Sequence, residues 1–102
     1  MQVIWSERAY IRRQAIEDYI LYSFGFSALR HYEEEIDSWI NTLTANPEAG
    51  PVEPILQNMR KEYRSFVIEE QTKGIYYVED DLLVIVDWWD TRRELDTLKR
   101  GL

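Results

Sequence analysis

The chain has 102 residues, with 12 Lys and Arg against 19 Asp and Glu, a formal net charge of −7 and no cysteine. This length fits one domain, residues 1–102, around one hydrophobic core. The lack of cysteine excludes disulfide bonds, thiol nucleophiles and cysteine metal sites. No apolar run is long enough to span a membrane and no secretory signal pattern is present, so we expect a cytoplasmic protein. The acidic charge excludes a broad positive face for nucleic acid and leaves room only for a local basic patch.

The first half of the sequence predicts a short strand followed by two helices. "QVIWS" is rich in strand-forming residues and ends in Ser6, a good N-cap, after which apolar residues recur at helical spacing as far as Phe24. Gly25 offers a helix stop, and Ser27 is the expected N-cap of the second helix. That helix carries an apolar stripe opposite an acidic face, and "NPEAGP" ends it with turn-forming residues. The sequence therefore predicts an antiparallel helical hairpin.

The second half of the sequence changes to a period of two, which is typical of strands. "YRSFVI", "GIYYV" and "LLVIVDWW" are separated by the short polar stretches "EEQTK" and "EDD". Three such strands form an antiparallel meander with one face open for the helical hairpin, and the apolar run 82–86 indicates a central strand buried on both sides. Residues 94–100 predict a short C-terminal helical segment. The predicted fold class is α+β.

The single histidine and the acidic run "EEEID" do not indicate a metal or cofactor site. His31 is the only histidine, and we assign it to a helix surface. The adjacent acids of "EEEID" fan outward from a helix, whereas metal-binding carboxylates converge, so this run predicts a solvated face. The aromatic residues mostly supply core area. Tyr76 and Tyr77 point to opposite sheet faces, so we expect one of them in the core and the other exposed.

Basic side chains of the second half are the candidate binding residues. They are Arg60, Lys61, Arg64, Lys73, Arg92 and Arg93. In a three-stranded meander, Arg64, Lys73 and Arg92 would converge on one sheet face. Acidic residues near the arginines, at positions 87, 90 and 94, could instead neutralise them as ordinary ion pairs. The residues alone leave a functional and a structural role equally supported.

The order of these elements, with its local motifs, resembles the RelE/ParE superfamily of toxins from type II toxin–antitoxin systems. The stretches that carry the resemblance are "VIWSERA", "LTANPEAG", "YRSFVI", "GIYYVEDD" and "VDWWDTR", which together span nearly the whole chain. The ParE-like, plasmid-stabilisation branch is the better match, because a tyrosine–arginine pair (Tyr63 and Arg64) opens the second strand and "WDTR" closes the last. The resemblance implies a small antitoxin partner that lays an amphipathic segment across exposed apolar surface, in a groove or as an added strand.

Two activities are implied by this resemblance. ParE-like members inhibit DNA gyrase by binding, whereas RelE-like members cleave mRNA on the ribosome with lysines, arginines and a tyrosine or histidine. As a ribonuclease, the chain would use Lys61, Arg64, Lys73 and Arg92 as catalytic residues. As a binding toxin, it would contact its target or antitoxin through Arg60, Lys61, Arg64, Tyr76, Arg92 and Arg93.

The sequence departs from the nuclease branch at its C-terminus. "RRELDTLKRGL" contains neither tyrosine nor histidine, and loss of a general acid or base costs about 10²–10⁴-fold in rate. In addition, Lys73 or Gly74 stands where nuclease members start the third strand with an arginine. We therefore expect a gyrase-binding toxin with a sizeable exposed apolar patch. A ribosome-dependent ribonuclease and a non-toxic interaction module of the same fold are the alternatives.

Overall fold

A computed structural model describes residues 1–91 as a four-stranded sheet with two helices. The elements are β1 (Gln2–Trp5), α1 (Glu7–Phe24), α2 (Phe26–Ala45), a 3₁₀ turn (Pro54–Leu56), β2 (Arg64–Ile68), β3 (Thr72–Glu79) and β4 (Leu82–Asp90). These bounds confirm the predicted strand, hairpin and three-strand order. The predicted C-terminal helical segment lies outside the described residues.

The helical hairpin is held at its start by a side-chain cap and at its turn by a single glycine. Ser6 accepts a hydrogen bond from the Ala9 N–H and donates one to the Val86 carbonyl, which fastens the start of α1 to β4. Gly25 has a φ of 95°, which favours glycine, and it both ends α1 and caps α2. The prediction of Ser27 as the second N-cap is therefore wrong, because one residue makes the whole connection. Neither described helix is long and apolar enough to cross a lipid bilayer.

The strand order in the sheet is β1-β4-β3-β2. β2, β3 and β4 form the predicted antiparallel meander, and β1 pairs in parallel with β4, from Gln2 opposite Leu82 to Trp5 opposite Ile85. This pairing confirms that the apolar run 82–86 is a central strand. Its burial is unequal, because Leu83 and Ile85 are fully buried against the helices while the alternating residues, Leu82, Val84 and Val86, are only half-buried.

The main core lies between the sheet and the two helices. Trp88 stands at its centre, with its ring 5.3 Å from that of Trp5 and 5.7 Å from that of Phe66. The indole N–H of Trp88 donates to the Tyr32 hydroxyl at 2.8 Å, and Tyr32 donates to Thr72 Oγ1 at 3.2 Å. The core thus joins β4, α2 and β3 through buried hydrogen bonds as well as apolar contact.

A second, smaller core covers the other face of the sheet. Leu56, from the 3₁₀ turn, packs with Tyr63, Ile75 and Trp89. The connection from Pro51 is therefore ordered and covers this face of the sheet. Adjacent Trp88 and Trp89 point into opposite cores, as strand alternation requires.

Gly74 allows the close aromatic packing of the main core. A Cβ at this position would lie 2.5 Å from Phe66 Cζ and 2.8 Å from Trp88 Cζ3. We expect Gly74→Ala to lower the free energy of unfolding by about 1–3 kcal/mol, because the rings must shift. Denaturant unfolding of Gly74→Ala, Phe66→Leu and the double variant measures this. The smaller Leu side chain should relieve part of the clash, so strictly additive losses would contradict the packing account.

Candidate binding site

An apolar groove of about 630 Å³ opens between the helices and the end of the sheet at the β2–β3 turn. Its walls are Ile16, Tyr19, Ile20 and Phe24 of α1 together with Ala28 and Tyr32 of α2. This volume lies within the usual range of ligand pockets, and such pockets are mostly apolar with a few polar groups. The groove can therefore receive large apolar side chains of a partner.

Exposed aromatic side chains extend the groove around the turn of the helical hairpin. The exposed fractions are 60% for Tyr19, 94% for Tyr22, 68% for Phe24 and 63% for Phe26. Isolated soluble domains rarely leave large contiguous apolar surface uncovered. We call these four residues the hairpin tip; with the groove they form the exposed apolar patch that the sequence predicts.

The polar groups of the groove lie at its floor and along the sheet side. Tyr32 and Thr72, already hydrogen-bonded to each other, form the floor, and burial raises the pKa of the Tyr32 hydroxyl, which keeps it neutral. Glu69 stands on the sheet side, in the β2–β3 turn, where it and Glu70 have φ values of 50° and 63°. Such a left-handed backbone is costly for residues other than glycine. Because Tyr32 is neutral and Glu69 is acidic, the groove has a neutral floor and an acidic side.

A pair of carboxyl groups links the two helices near the groove. Glu17 of α1 forms a hydrogen bond with Glu33 of α2, and the Arg13 Nε lies 3.3 Å from Glu17 Oε2. Burial, together with Glu33, raises the pKa of Glu17, and Arg13 opposes this only in part. The hairpin therefore holds an acidic group whose charge is disfavoured.

Lys61 is held by an acidic residue of the sheet. Its Nζ lies 2.7 Å from Glu79 Oε2 and 4.5 Å from the centre of the Tyr77 ring. The hydrogen bond with Glu79 raises the pKa of Lys61, so the side chain stays protonated at neutral pH. Lys61 is therefore suited to binding an anion, not to accepting a proton.

Arg64 holds the loop that follows α2. Its Nη1 donates to the Gly50 carbonyl at 2.8 Å and to the Glu48 carbonyl at 3.3 Å, and its Nη2 lies 2.9 Å from Glu62 Oε1. Only 18% of the Arg64 side chain is exposed. Most hydrogen-bond donors of Arg64 are therefore engaged in contacts within the protein that stabilise the fold.

Arg64 and Lys73 do not converge. Arg64 lies on the same sheet face as Phe66, two residues further along β2. Gly74 of β3 is paired with Phe66 and lies on that face too, and Lys73 is the residue before Gly74. Strand alternation therefore puts Lys73 on the opposite face, where its Nζ lies 2.9 Å from the buried Glu53 carboxylate. The prediction of a shared face is wrong for this pair.

The remaining predicted residues fall into three groups. Arg60 is exposed. Arg92 and Arg93 lie outside the described residues. Tyr76 is fully buried in the main core, so of the tyrosine pair it is Tyr77 that lies half-exposed on the opposite face. Complete burial leaves the Tyr76 side chain no surface for a partner.

Comparison with known proteins finds similarity in structure but not in sequence. No family model and no curated protein matches the chain. A chain of the chromosomal ParDE TA system from P. aeruginosa superposes with a TM-score of 0.66 and 18% identity, over 88% of this chain and 95% of that one. A YoeB/ParE toxin from Agrobacterium tumefaciens gives 0.61 and 18%, over 88% and 98%. The chain has the RelE/ParE toxin fold.

Within this RelE/ParE fold, neither Tyr76 nor Lys61 is suited to proton transfer at neutral pH. A general base or acid works best with a pKa near the operating pH. Burial raises the pKa of Tyr76, and the hydrogen bond with Glu79 raises that of Lys61, so both move away from neutrality. Among residues 1–91, no group of three His, Cys, Asp or Glu side chains could hold a metal ion.

Two features of this fold were not predicted from the sequence. The groove was not placed, although apolar residues such as Ile20 and Tyr22 fall on opposite faces of α1 and indicate apolar surface beyond the core stripe. Asp87 was paired with arginines close to it in the sequence, whereas it is fully buried with Arg12 Nη1 at 2.6 Å and Arg8 Nη1 at 3.9 Å. Such partners are 75 or more residues away in the sequence, so spacing could not reveal them.

Tyr76 is predicted to act through its hydroxyl on the loop that follows α2. The hydroxyl donates to the Pro47 carbonyl at 2.7 Å and accepts from the Gly50 N–H at 3.1 Å. Tyr76→Phe should therefore lower the free energy of unfolding by about 1–3 kcal/mol. Tyr77→Phe is the matched control on the other sheet face, with an expected loss below about 0.5 kcal/mol in the same denaturant titration. Equal losses for the two variants would contradict a structural role for the Tyr76 hydroxyl.

Glu17 makes the stability of the hairpin depend on pH. Its pKa in the folded protein is raised above the ordinary 4.5, so ionisation destabilises the folded state at neutral pH, and this penalty vanishes below pH 4.5, where both states are protonated. We expect Glu17→Gln to raise the melting temperature at pH 7, with a gain that shrinks as the pH falls to 4.5. Thermal unfolding across this range tests it, with the exposed Glu34→Gln as the control. A gain that does not change with pH would contradict the assignment.

Proposed function

We propose that this chain is the toxin of a type II toxin–antitoxin system and that it stops growth by binding DNA gyrase in the cytoplasm. A cognate antitoxin neutralises it, and no cofactor takes part. The observation that carries the proposal is the open apolar groove, with its exposed hairpin tip, on a RelE/ParE toxin fold. An apolar surface of this kind serves binding, and it needs a partner that covers it.

The antitoxin is the proposed occupant of the groove. An amphipathic helix commonly binds by laying its apolar face into a hydrophobic groove, with side chains one turn apart as anchors. Ile16 and Ile20 are one turn apart on α1 and present such a row, and Ala28 on α2 leaves space between the helices. The ParDE neighbour is itself named as a toxin–antitoxin system, which supports a partner of this class.

Target binding is proposed to use the basic residues together with the hairpin tip. The basic residues are Arg60, Lys61, Arg64, Arg92 and Arg93. Arg60 is exposed, and the Lys61 side chain is 39% exposed despite its ion pair with Glu79. Aromatic and arginine side chains dominate the energy of protein interfaces, and the hairpin tip adds four aromatic rings to this set.

The protonation of Lys61 and the separate positions of Arg64 and Lys73 favour a binding role over mRNA cleavage. Cleavage at a ribose 2′-hydroxyl needs a base, an acid and positive charge brought together at one phosphate. Lys61 has a raised pKa, and Arg64 and Lys73 lie on opposite faces with acidic partners of their own. The ribonuclease alternative would have to rely on Arg92, which lies outside the described residues.

Pulse labelling after induction of this chain alone in a bacterial host tests the proposal. We expect thymidine incorporation to fall first, because gyrase inhibition stops DNA replication, while amino-acid incorporation and mRNA length hold at early times. An early fall in amino-acid incorporation with shortened mRNA would instead establish the ribonuclease. Continued growth at full expression would overturn the toxin role and leave the interaction module.

A further inference from the structure

The acidic side of the groove indicates the charge of its occupant. We propose that the antitoxin segment that fills the groove is cationic, with Lys or Arg beside its apolar anchors, so that it meets Glu69 and Glu70 when the anchors enter. This inference rests on the proposed function, because it describes the partner of the same groove. It goes further by fixing the chemistry that selects the partner.

Charge is distributed unevenly around the groove. On the sheet side, Glu69 and Asp90 line it and Glu70 follows in the same turn. His31 faces Glu69 at 3.7 Å, a contact that is an ion pair only when the histidine is protonated. Glu17 and Glu33, between the helices, are not part of the groove lining. An acidic segment would therefore be repelled from the sheet side, in a chain whose net charge is already −7.

The hairpin tip, by contrast, carries no negative charge. Residues 19–32 form the longest stretch of the sequence without Asp or Glu, and their only charged side chain besides His31 is Arg30, which stacks over Phe26. Negative charge is thus concentrated on the sheet side. A bound segment would place its apolar residues toward the helices and its basic residues toward the β2–β3 turn.

The backbone of the β2–β3 turn allows its two charges to be removed without destabilising the fold, so an effect on peptide binding can be told apart from an effect on folding. The Gln71 N–H donates to the Ile68 carbonyl, and Glu69 and Glu70 both have positive φ, the geometry of a two-residue turn that prefers Asn-Gly. Replacing Glu69 by Asn and Glu70 by Gly should therefore raise the melting temperature while removing both charges. A loss of binding in this variant cannot come from unfolding.

A matched control is available at the other end of β3. The β3–β4 turn contains Asp80, with a φ of 55°, followed by Asp81. It lies about 23 Å from the groove, at seven residue steps along the strand. The double variant Asp80→Asn with Asp81→Gly removes the same net charge from the chain and leaves the groove untouched.

Two synthetic amphipathic peptides of about 16 residues, long enough to form a helix, serve as probes. They share one leucine row and differ only in carrying Lys or Glu beside it, and fluorescence anisotropy measures their binding to the full chain. We expect the Lys peptide to bind at least about tenfold more tightly than the Glu peptide, with a preference that weakens as salt rises. The Glu69→Asn, Glu70→Gly variant should lose most of this preference and the β3–β4 turn control should keep it.

Three results would overturn the proposal. The Glu peptide could bind as tightly as the Lys peptide. The control variant could lose as much preference as the β2–β3 turn variant, which would reveal an effect of net charge alone. The isolated chain could form a dimer that the Lys peptide does not dissociate, which would identify a second copy as the occupant. Each of these leaves the growth assay unaffected, so failure of the cationic segment and failure of the toxin role are distinguishable.

Discussion

The hydrogen bond from the Trp88 indole to the Tyr32 hydroxyl is the contact on which the rest of the structure depends. It joins β4 to α2 inside the core, and the Tyr32 hydroxyl in turn donates a hydrogen bond to Thr72 of β3. A buried polar group without a partner is costly, so the three residues fix one another's positions. The same Tyr32 and Thr72 form the floor of the groove. The arrangement that holds the helical hairpin on the sheet therefore also shapes the binding surface.

Much of the fold could be predicted from the sequence because periodicity and turn residues are local signals. Ser6 and Gly25 marked the ends of α1, and alternation assigned the three C-terminal strands. The stretch "DWWDTRREL" shows the limit of such signals, since alternation sends Trp88 and Trp89 into different cores, while Asp87 takes its partners from α1. Ion pairs depend on which elements pack together, and nothing in local spacing specifies that.

The candidate site was predictable only as a type of surface. An exposed apolar patch was expected, and its composition is aromatic, but its location depends on how the helices lie on the sheet. The basic residues were identifiable as candidates, whereas their acidic partners were not. Arg64 is bonded to loop carbonyls, Lys73 to Glu53 and Lys61 to Glu79, so each of these three cations has a partner within the protein. Under the proposed function, apolar contact at the groove and hairpin tip therefore contributes more to binding than these three cations do.

A DNA supercoiling assay with purified gyrase distinguishes gyrase inhibition from mRNA cleavage, and it needs neither a known antitoxin nor a living host. The full chain is added to gyrase, relaxed plasmid and ATP, and a parallel translation reaction reports whether mRNA on the ribosome is cut. If the chain inhibits gyrase by binding, supercoiling should stop while the mRNA stays intact. Unchanged supercoiling together with cleaved mRNA would contradict gyrase inhibition, and would assign the chain to the ribonuclease branch of the same fold.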